Sequence, residues 1–379
     1  MFDKRRKRVF VQSWKISIQR VFVNKYQTKE MKNLSWFNKG MFSLNVILIV
    51  LTFIAYVLPF LAPKIFPILS VLTLIMPLFF ILNGLFFIYW AIQFKKRMIL
   101  SGLVLLMGIT FINKFYKFSA KDFPENDKDF TVMSYNVRLF NVFKWLDRDN
   151  VPEEILTFIN DKNPDILCIQ EFSNSADIDL KVYRHKYIFM EGNQIKTGQA
   201  IFSKFPIIDQ GNIVFPNSSN NVIFADIKKG KDIIRVYNMH LQSIKISPDV
   251  NEINENIEVI NHQGKPQMLF NRLSKAFKQQ QQQAEIFKEH KKECIYPVII
   301  CGDMNNSAFS YVYRDIKEKL KDSFEEAGTG FGATYKFRYY PARIDYIFAD
   351  ENMEVKKFES FSDFENSDHY PIMAKLAIE

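Results

Sequence analysis

The chain has 379 residues and a formal net charge of +9, with a sequence pI near 9.1. The charge is unevenly distributed. Residues 1–40 carry 11 Lys and Arg and 2 acidic residues, and residues 41–118 carry 6 Lys and Arg and no acidic residue. Residues 119–379 have a net charge of −6. A basic pI usually indicates a nucleic-acid partner, but here the positive charge belongs to the amino-terminal third, which excludes that inference. The length accommodates one large domain plus an accessory segment.

Three uncharged apolar runs predict a membrane anchor. Residues 41–63 and 65–94 form runs of 23 and 30 residues, and a helix needs about 20 residues to cross the hydrocarbon core. The third run has only 16 residues, but the Lys and Arg that flank it can snorkel and let it span. We therefore predict a basic cytoplasmic segment 1–40 and then, within 41–118, three transmembrane helices at about 41–63, 66–94 and 98–116.

The distribution of basic residues predicts the orientation of these helices. The amino terminus and Lys95-Lys96-Arg97 are expected on the cytoplasmic side, with Lys64 in the opposite turn. Three spans then make the chain an integral inner (cytoplasmic) membrane protein whose globular part is extracytoplasmic, or periplasmic. If the third run lies on the membrane surface instead, the globular part is cytoplasmic. Met31 offers an alternative start, so it stays open whether residues 1–30 belong to the native chain.

Residues 119–129 are polar and predict a linker to a domain over 130–379. In this domain, short apolar runs between turn residues predict strands at Phe130–Val137, Ile166–Gln170, Ala200–Ser203, Ile233–Met239, Val298–Cys301, Ile344–Phe348 and Ile372–Leu376. Helices are predicted at Pro152–Asp161, Pro266–Lys292 and Asp315–Lys321, with a long surface loop at 243–265. The glutamine run Gln279–Gln283 is expected on a solvated helix face. The mixture indicates an α/β or α+β fold with buried sheets.

Polar side chains stand at the ends of these apolar strands. They are Asn136, Glu171, His240, Asp303, Asn305, Asp345, Asp368 and His369. Carboxylate and amide oxygens are the ligands that suit Mg²⁺ or Mn²⁺, whereas zinc is disfavoured because no Cys or His cluster has ligand spacing. Hydrolysis of a phosphodiester needs a metal, a base for water, and donors to the phosphate oxygens. His369 can act as donor or base if a carboxylate fixes its tautomer, and Asp345 is the candidate.

The order of the motifs resembles the endonuclease/exonuclease/phosphatase superfamily over residues 130–379. The motifs are Ser134-Tyr135-Asn136-Val137-Arg138, Ile169-Gln170-Glu171, Gly198-Gln199-Ala200-Ile201-Phe202-Ser203, Asn238-Met239-His240-Leu241, Gly302-Asp303-Met304-Asn305, Arg343-Ile344-Asp345-Tyr346-Ile347 and Ser367-Asp368-His369-Tyr370-Pro371. The resemblance implies a deoxyribonuclease-like α/β fold, a two-sheet β-sandwich flanked by helices in four layers. It also implies a Mg²⁺-dependent phosphoester hydrolase, with Mn²⁺ as a possible substitute.

The same resemblance implies roles for the site residues. Asn136 and Glu171 bind the metal, and Asp368 reaches that metal or a second one. His240 bonds the scissile phosphate or protonates the leaving oxygen, and Asn305 holds a phosphate oxygen. Asp303 positions or deprotonates the attacking water, while His369, oriented by Asp345, stabilises the transition state or acts as base. Which of Asp303 and His369 is the base stays open, as does the number of metals.

The sequence leaves the substrate open. A phosphodiesterase or nuclease is predicted, and a phospholipid or inositol-phosphate phosphatase with the same site is the alternative. A non-catalytic membrane scaffold that retains the fold is a remote alternative. The partners predicted are a phosphoester substrate (nucleic acid, or a lipid or sugar phosphate) and the membrane, with no protein partner inferred. The loop Gly328–Tyr335 is expected at the cleft rim, where Phe331 or Tyr335 stacks on substrate, and Arg343 is either a phosphate clamp or a surface charge.

Overall fold

The structure is a computed structural model that describes residues 34–119, 123–124, 126, 128–174, 180–192, 196–244, 265–338 and 340–378. Most of the predicted basic segment, parts of the predicted linker, and residues 245–264 of the predicted long loop lie outside the described residues. The chain divides into two compact units. One comprises Met1–Phe53 with Phe79–Leu106, and the other comprises Ile54–Leu78 with Met107–Glu379.

The amino-terminal helices are apolar and long. Among the described residues, two helical stretches are long and apolar enough to cross a membrane, Trp36–Phe60 and Pro67–Ile92. A third crossing results if the pair Met98–Met107 and Ile109–Phe115, bent by 69°, counts as one span. The individual α-helices are α1 (Trp36–Val57), α2 (Pro67–Ser70), α3 (Met76–Ile92), α4 (Met98–Met107) and α5 (Ile109–Phe115), with short 3-10 turns at Leu58–Phe60 and Val71–Ile75.

Buried polar side chains join the helices of the first unit. Asn45 donates its Nδ2 to Ser101 Oγ at 2.8 Å and accepts from Trp90 Nε1 at 3.1 Å. Asn83 Nδ2 donates to Thr52 Oγ1 at 2.9 Å. Hydrogen bonds of this kind contribute roughly 0.6–2 kcal/mol each between membrane helices. They therefore tie α4 to α1 and α3 in one bundle.

The second unit contains the predicted domain. Its strands are β1 (Phe130–Asn136), β2 (Ile166–Phe172), β3 (His185–Glu191), β4 (Thr197–Ser203), β5 (Ile207–Val214), β6 (Asn221–Lys229), β7 (Asp232–His240), β8 (Val298–Asp303), β9 (Lys321–Asp322), β10 (Asp345–Ala349), β11 (Met353–Ser360) and β12 (Ile372–Ile378). Its further α-helices are α6 (Val151–Lys162), α7 (Lys265–Lys292), α8 (Tyr311–Lys317) and α9 (Ser323–Ala327), and a 3-10 turn lies at Arg138–Asn141. All seven predicted strands are confirmed, with ends that differ by up to three residues.

The described strands form two six-stranded sheets packed face to face. The orders are β11-β12-β1-β2-β4-β3 and β5-β6-β7-β8-β10-β9, with only the β1–β2 and β7–β8 pairs parallel. The core between the sheets contains Val132 and Cys168 from one sheet and Val236 and Cys301 from the other. Helix α6 covers the outer face of the first sheet, and α7 and α8 cover that of the second. The predicted four-layer sandwich is therefore confirmed.

Two local predictions are wrong. The third predicted helix, Asp315–Lys321, begins four residues earlier, at Tyr311, because the Ser310 hydroxyl accepts from the backbone N–H of Tyr313 and caps the helix there. Arg343 is neither exposed nor available to a substrate. It is buried, and its guanidinium bonds Asp322 at 2.7 Å and the backbone oxygen of Lys114 at 3.1 Å.

The prediction that the glutamine run lies on a solvated helix face is also wrong. Three of its side chains are buried, namely Gln280, Gln281 and Gln283. Within the run, only Gln282 is well exposed. Each of the three buried amides both donates and accepts a hydrogen bond, as buried amides must to offset their desolvation. The run therefore forms a hydrogen-bonding face of α7 and not a solvated one.

Candidate active site

Three neighbouring strands of the second sheet deliver three site residues at the same level. In the parallel pair β7–β8, His240 lies opposite Asp303, and in the antiparallel pair β8–β10, Asp303 lies opposite Asp345. Adjacent strands are about 4.8 Å apart, so the register alone makes these side chains neighbours. Gly302 permits the close approach of β7 and β8. Its φ is +133°, and a Cβ there would lie 1.9 Å from the backbone oxygen of Met239.

The first sheet contributes Asn136 and Glu171 from its two parallel strands. The β2–β4 pairing is irregular between Ile169 and Phe172, and Glu171 adopts a φ of +50° at this point. Such a bulge redirects a side chain and is common beside active sites. Asn136 Nδ2 then lies 3.3 Å from Glu171 Oε1 and 3.2 Å from Asp303 Oδ2, which joins the ends of the two sheets.

Asp345 fixes the orientation of His369. The imidazole Nδ1 lies 3.0 Å from Asp345 Oδ2 and 3.1 Å from Oδ1, so Nδ1 donates and Nε2 points elsewhere. That Nε2 lies 3.6 Å from Asp303 Oδ2. Thr334 Oγ1 accepts from the backbone N–H of Asp345 at 3.0 Å, and the Tyr335 ring packs edge-on against the imidazole at 4.9 Å. The predicted pairing of Asp345 with His369 is thus present.

Asp303 is held by Asn305, which follows it in the turn after β8. The backbone N–H of Asn305 donates to Asp303 Oδ1 at 2.7 Å, and its side-chain Nδ2 donates to Oδ2 at 3.1 Å and to the backbone oxygen of Leu241 at 3.0 Å. Asn305 itself has a φ of +49°. Its amide is therefore engaged with the protein and orients the carboxylate.

Asp368 lies at the edge of the cluster and forms an ion pair with Arg138. Its Oδ2 is 3.1 Å from a guanidinium nitrogen of Arg138, and its Oδ1 accepts from Ser367 Oγ at 3.3 Å. Arg138 in turn stacks over the Trp145 ring at 4.4 Å. The sequence analysis names Arg138 within a motif but gives it no role. Its place two residues after Asn136 is the signal that identifies it.

Burial and crowding set unusual pKa values in this cluster. Burial lowers the pKa of His240 to about 3, and the positive charge of His369 acts in the same direction. Burial alone would lower the pKa of His369, but the carboxylates of Asp345 and Asp303 raise it well above its ordinary value. Burial raises the pKa of Asp303 to about 8, against the effect of His369. Burial, and then the charge of Asp368, raises the pKa of Glu171.

These features fit a divalent cation. Glu171, with a side chain 32% exposed, and the nearly inaccessible Asp303 both lie 3.8 Å from Nε2 of His240. This nitrogen is buried and, among the described residues, has no hydrogen-bond partner. Crowded carboxylates repel one another unless a cation or a proton neutralises them. The oxygen-rich set beside an unpartnered imidazole nitrogen therefore suits a hard cation with a phosphate oxygen next to it.

One group of three His and Asp side chains has ligand atoms close enough together to hold a metal ion, and it differs from the predicted metal ligands. Among the described residues this group is Asp303, Asp345 and His369, with one ligand atom of each within 4.8 Å of the others. Because Nδ1 of His369 already donates to Asp345, only its Nε2 is available to an added group. Asn136, Glu171 and Asp368 remain the predicted ligands, and their assignment to the metal stays a prediction.

The site also depends on residues that sequence reasoning missed. Gln170 Nε2 donates to Asn238 Oδ1 at 2.6 Å between the sheets, and Asn238 Nδ2 donates to the backbone oxygens of Ile169 and Ala200 at 2.8 and 3.1 Å. These two amides lie one residue before Glu171 and two before His240. A polar side chain inside an apolar strand must find a partner when buried, and that is the signal that identifies them.

A second missed group comes from the glutamine run. Gln280 Nε2 donates to the backbone oxygens of Gln242 and Asn305 at 2.7 and 3.1 Å, and its Oε1 accepts from Asn306 Nδ2 at 2.7 Å. Gln283 Oε1 accepts from the backbone N–H of Gln242 at 2.8 Å. Helix α7 thereby fixes the segments that follow His240 and Asp303.

Residues 133–369 match the Endonuclease/Exonuclease/phosphatase family, and the match includes every candidate site residue from Asn136 to His369. The chain belongs to this family. Members of the Endonuclease/Exonuclease/phosphatase family are generally phosphoester hydrolases that use divalent metals. Residues 38–115 match a domain of unknown function. No curated protein sequence matches the chain at a significant level.

Solved structures share the fold of this family member at low identity. The human Nocturnin catalytic domain with bound sulfate is 17% identical with a TM-score of 0.50, and the match covers 68% of this chain and 97% of that one. An endonuclease/exonuclease/phosphatase from Bacteroides vulgatus is 21% identical with a TM-score of 0.48, covering 66% and 99%. D. rerio TDP2 complexed with single-strand DNA product is 16% identical with a TM-score of 0.47, covering 66% and 99%.

Proposed function

We propose that the chain is a membrane-anchored, Mg²⁺-dependent phosphoester hydrolase of the phosphodiesterase type. The observation that carries the proposal is the convergence of two sheets on one polar cluster, in which Glu171, His240, Asp303 and His369 lie within 4 Å of at least one other member. A structural role alone gives no reason to bury so many ionisable groups, since burial of uncompensated charge is costly. Net charge of −6 over residues 119–379 gives little support to tight nucleic-acid binding.

We assign the roles of the side chains as follows. Glu171 and Asn136 hold the metal, with Asp368 beside them. When bound, the metal supplies positive charge next to the phosphate oxygens. His240 remains neutral because of its lowered pKa and donates one N–H to the phosphate. Asn305 contributes by orienting Asp303.

The pairing of His369 with two carboxylates favours Asp303 as the base. His369 lies between Asp345 and Asp303, and both negative charges favour the imidazolium. An imidazolium cannot accept a proton, but it stabilises charge that develops on phosphate oxygens. Asp303, the carboxylate 3.6 Å from Nε2 of His369, is then the group that takes the proton of the attacking water.

The position of Lys64 supports an extracytoplasmic catalytic domain. Lys64 lies between the two candidate spans, its backbone N–H donates to Gln281 Oε1 at 2.8 Å, and its ammonium pairs with Glu285 of the same helix α7. The loop around Lys64 and the catalytic domain therefore share one side of the membrane. The basic cluster Lys95–Arg97 lies one span away, on the side that the positive-inside rule makes cytoplasmic. The bent pair α4–α5 then returns across the membrane.

Hydrolysis of bis-p-nitrophenyl phosphate by the purified full chain tests the proposal. We expect activity that EDTA abolishes and Mg²⁺ restores. The variant Glu171→Gln should lose at least about tenfold in metal affinity or kcat, since loss of a group that only orients a metal ligand already costs about 10- to 100-fold. The matched control Glu359→Gln, on edge strand β11, should behave as the parent. Activity that survives both EDTA and Glu171→Gln would show that the site does not work as a metal-dependent hydrolase.

A further inference from the structure

An aromatic cluster lies outside the cleft, where the last membrane segment meets the catalytic domain. Phe118 and Phe331 are 85% and 42% exposed. The Tyr116 ring packs edge-on against both, with centroids 4.9 and 4.8 Å away, and Phe115 packs on Phe331 at 5.1 Å. Phe115 is the last residue of α5. The cluster thus joins the end of a membrane segment to a loop more than 200 residues later in the chain.

Backbone hydrogen bonds hold that loop against the membrane segment. The loop, residues Thr329–Gly332, is called the Phe331 loop here. The N–H of Lys117 donates to Gly330 O at 2.9 Å, and the N–H of Gly330 donates to Lys117 O at 2.9 Å. Lys117 is only two residues beyond the end of α5, so these backbone bonds place Phe331 next to the end of that candidate membrane segment.

A second contact brings another edge of the catalytic domain to the start of the second candidate span. Tyr340 Oη donates to the backbone oxygen of Leu74 at 2.8 Å, and Ser307 Oγ lies 3.4 Å from the backbone oxygen of Thr73. Thr73 and Leu74 are six and seven residues into Pro67–Ile92, or roughly 10 Å along a helix. Two separated parts of the domain therefore meet membrane segments.

We propose that the Phe331 loop is a lipid-contacting surface that inserts into the interface of the bilayer. Exposed Phe rings packed on Tyr116 beside Lys117, at the end of a candidate membrane segment, combine the apolar, aromatic and basic side chains that favour the membrane–water interface. A bilayer is favoured over a protein partner as the occupant, because the loop is bonded to the chain where that chain leaves the membrane. The inference uses no catalytic residue and does not depend on the proposed hydrolysis.

The Phe331 loop leads directly into the active site. Tyr335 is four residues beyond Phe331, a reach of at most about 14 Å, and it forms a backbone bridge with His369. Bridged residues are about 5 Å apart, which limits the backbone distance from Phe331 to His369 to about 20 Å. The polar layer of a bilayer is itself some 5–7 Å deep on each side. The surface therefore keeps the backbone of His369 within about 20 Å of the interface.

Quenching of tryptophan fluorescence by brominated lipid tests the proposal on the full chain in vesicles. The variant Phe331→Trp is compared with Ile295→Trp. Ile295 is an exposed apolar residue, 86% accessible, and it precedes β8, whose other end carries Asp303. Both spectra are corrected by subtracting the spectrum of the unsubstituted chain, since native tryptophans also contribute. The readout needs no enzymatic activity.

We expect bromine near the glycerol end of the acyl chains to quench the added Phe331→Trp signal by about half or more, because interfacial groups lie about 5–10 Å into the boundary. The added Ile295→Trp signal should remain unquenched. If Phe331→Trp does not fold, Phe118→Trp from the same cluster replaces it. Quenching no greater than that of Ile295→Trp would overturn the proposal.

Discussion

Replacing Asp345 by Asn tests whether catalysis requires the carboxylate that orients His369, or only the presence of His369. The amide is nearly isosteric with the carboxylate, and the backbone N–H of residue 345 can still donate to Thr334 Oγ1. What disappears is the negative charge 3.0 Å from the imidazole Nδ1. Because that charge, together with those of Asp303 and Asp368, raises the pKa of His369, the variant should also have a lower His369 pKa.

The magnitude follows from the contact that is lost. A hydrogen bond to a charged group contributes about 1.5–3 kcal/mol, and about 1.36 kcal/mol corresponds to a tenfold change in rate. If the imidazolium is needed mainly in the transition state, Asp345→Asn lowers kcat by about 10- to 150-fold. KM for a small soluble phosphodiester should change by less than about threefold, since the ground state does not use this charge fully.

The assay is steady-state hydrolysis of bis-p-nitrophenyl phosphate by the full chain at saturating Mg²⁺, with thermal unfolding measured in parallel. Asp226→Asn is the matched control, because Asp226 is equally buried and bonds Arg235 at 2.6 and 2.7 Å outside the site. It should lower the unfolding temperature without changing kcat of the folded protein. An Asp345→Asn enzyme with kcat within about twofold of the parent would refute the role of the pair.

Two further variants test how the scaffold holds the site. Gln280→Met removes three buried hydrogen bonds and should cost about 1–3 kcal/mol of stability while lowering kcat. The control Gln282→Met, at an exposed position, should change stability by less than about 0.5 kcal/mol. Equal effects of the two variants would contradict the role of Gln280 in holding the site. Gly302→Ala should sharply reduce folded yield and unfolding temperature, because its Cβ would meet the Met239 backbone. Gly211→Ala meets only the ring of a side chain and should be tolerated better in the same thermal scans.

The sequence predicted the centres of both sheets and missed their edges. Each predicted strand lies inside the sheets or next to the centre, as β1, β7 and β8 do. Of the five missed strands, four are the outermost members of a sheet: β3, β5, β9 and β11. Edge strands have a solvated side and mixed composition, so they lack the continuous apolar run by which buried strands are recognised. Strand β6 was missed although it is internal and largely buried.

The convergence of the predicted site residues could be anticipated from the sequence, but not the way they are supported. Each of them stands at a strand end or in a turn, so chain order and motif spacing were sufficient to find them. The partners of Asp303 and Glu171 depend on register and on a bulge, which no local pattern specifies. The role of Arg343 was missed because its partner Asp322 lies on a two-residue strand, and such a pair is visible only in three dimensions.

The buried face of the glutamine run has a consequence for how this gene can vary. Runs of one residue are expected to tolerate changes in length when they are solvated or disordered. Here an inserted or deleted glutamine would rotate all later positions of α7 by about 100°. Either Gln280 would leave the segment after Asp303, or Gln283 would leave Gln242. Five identical residues thus occupy positions that are not interchangeable, and natural variation in their number is expected to be absent from active enzymes.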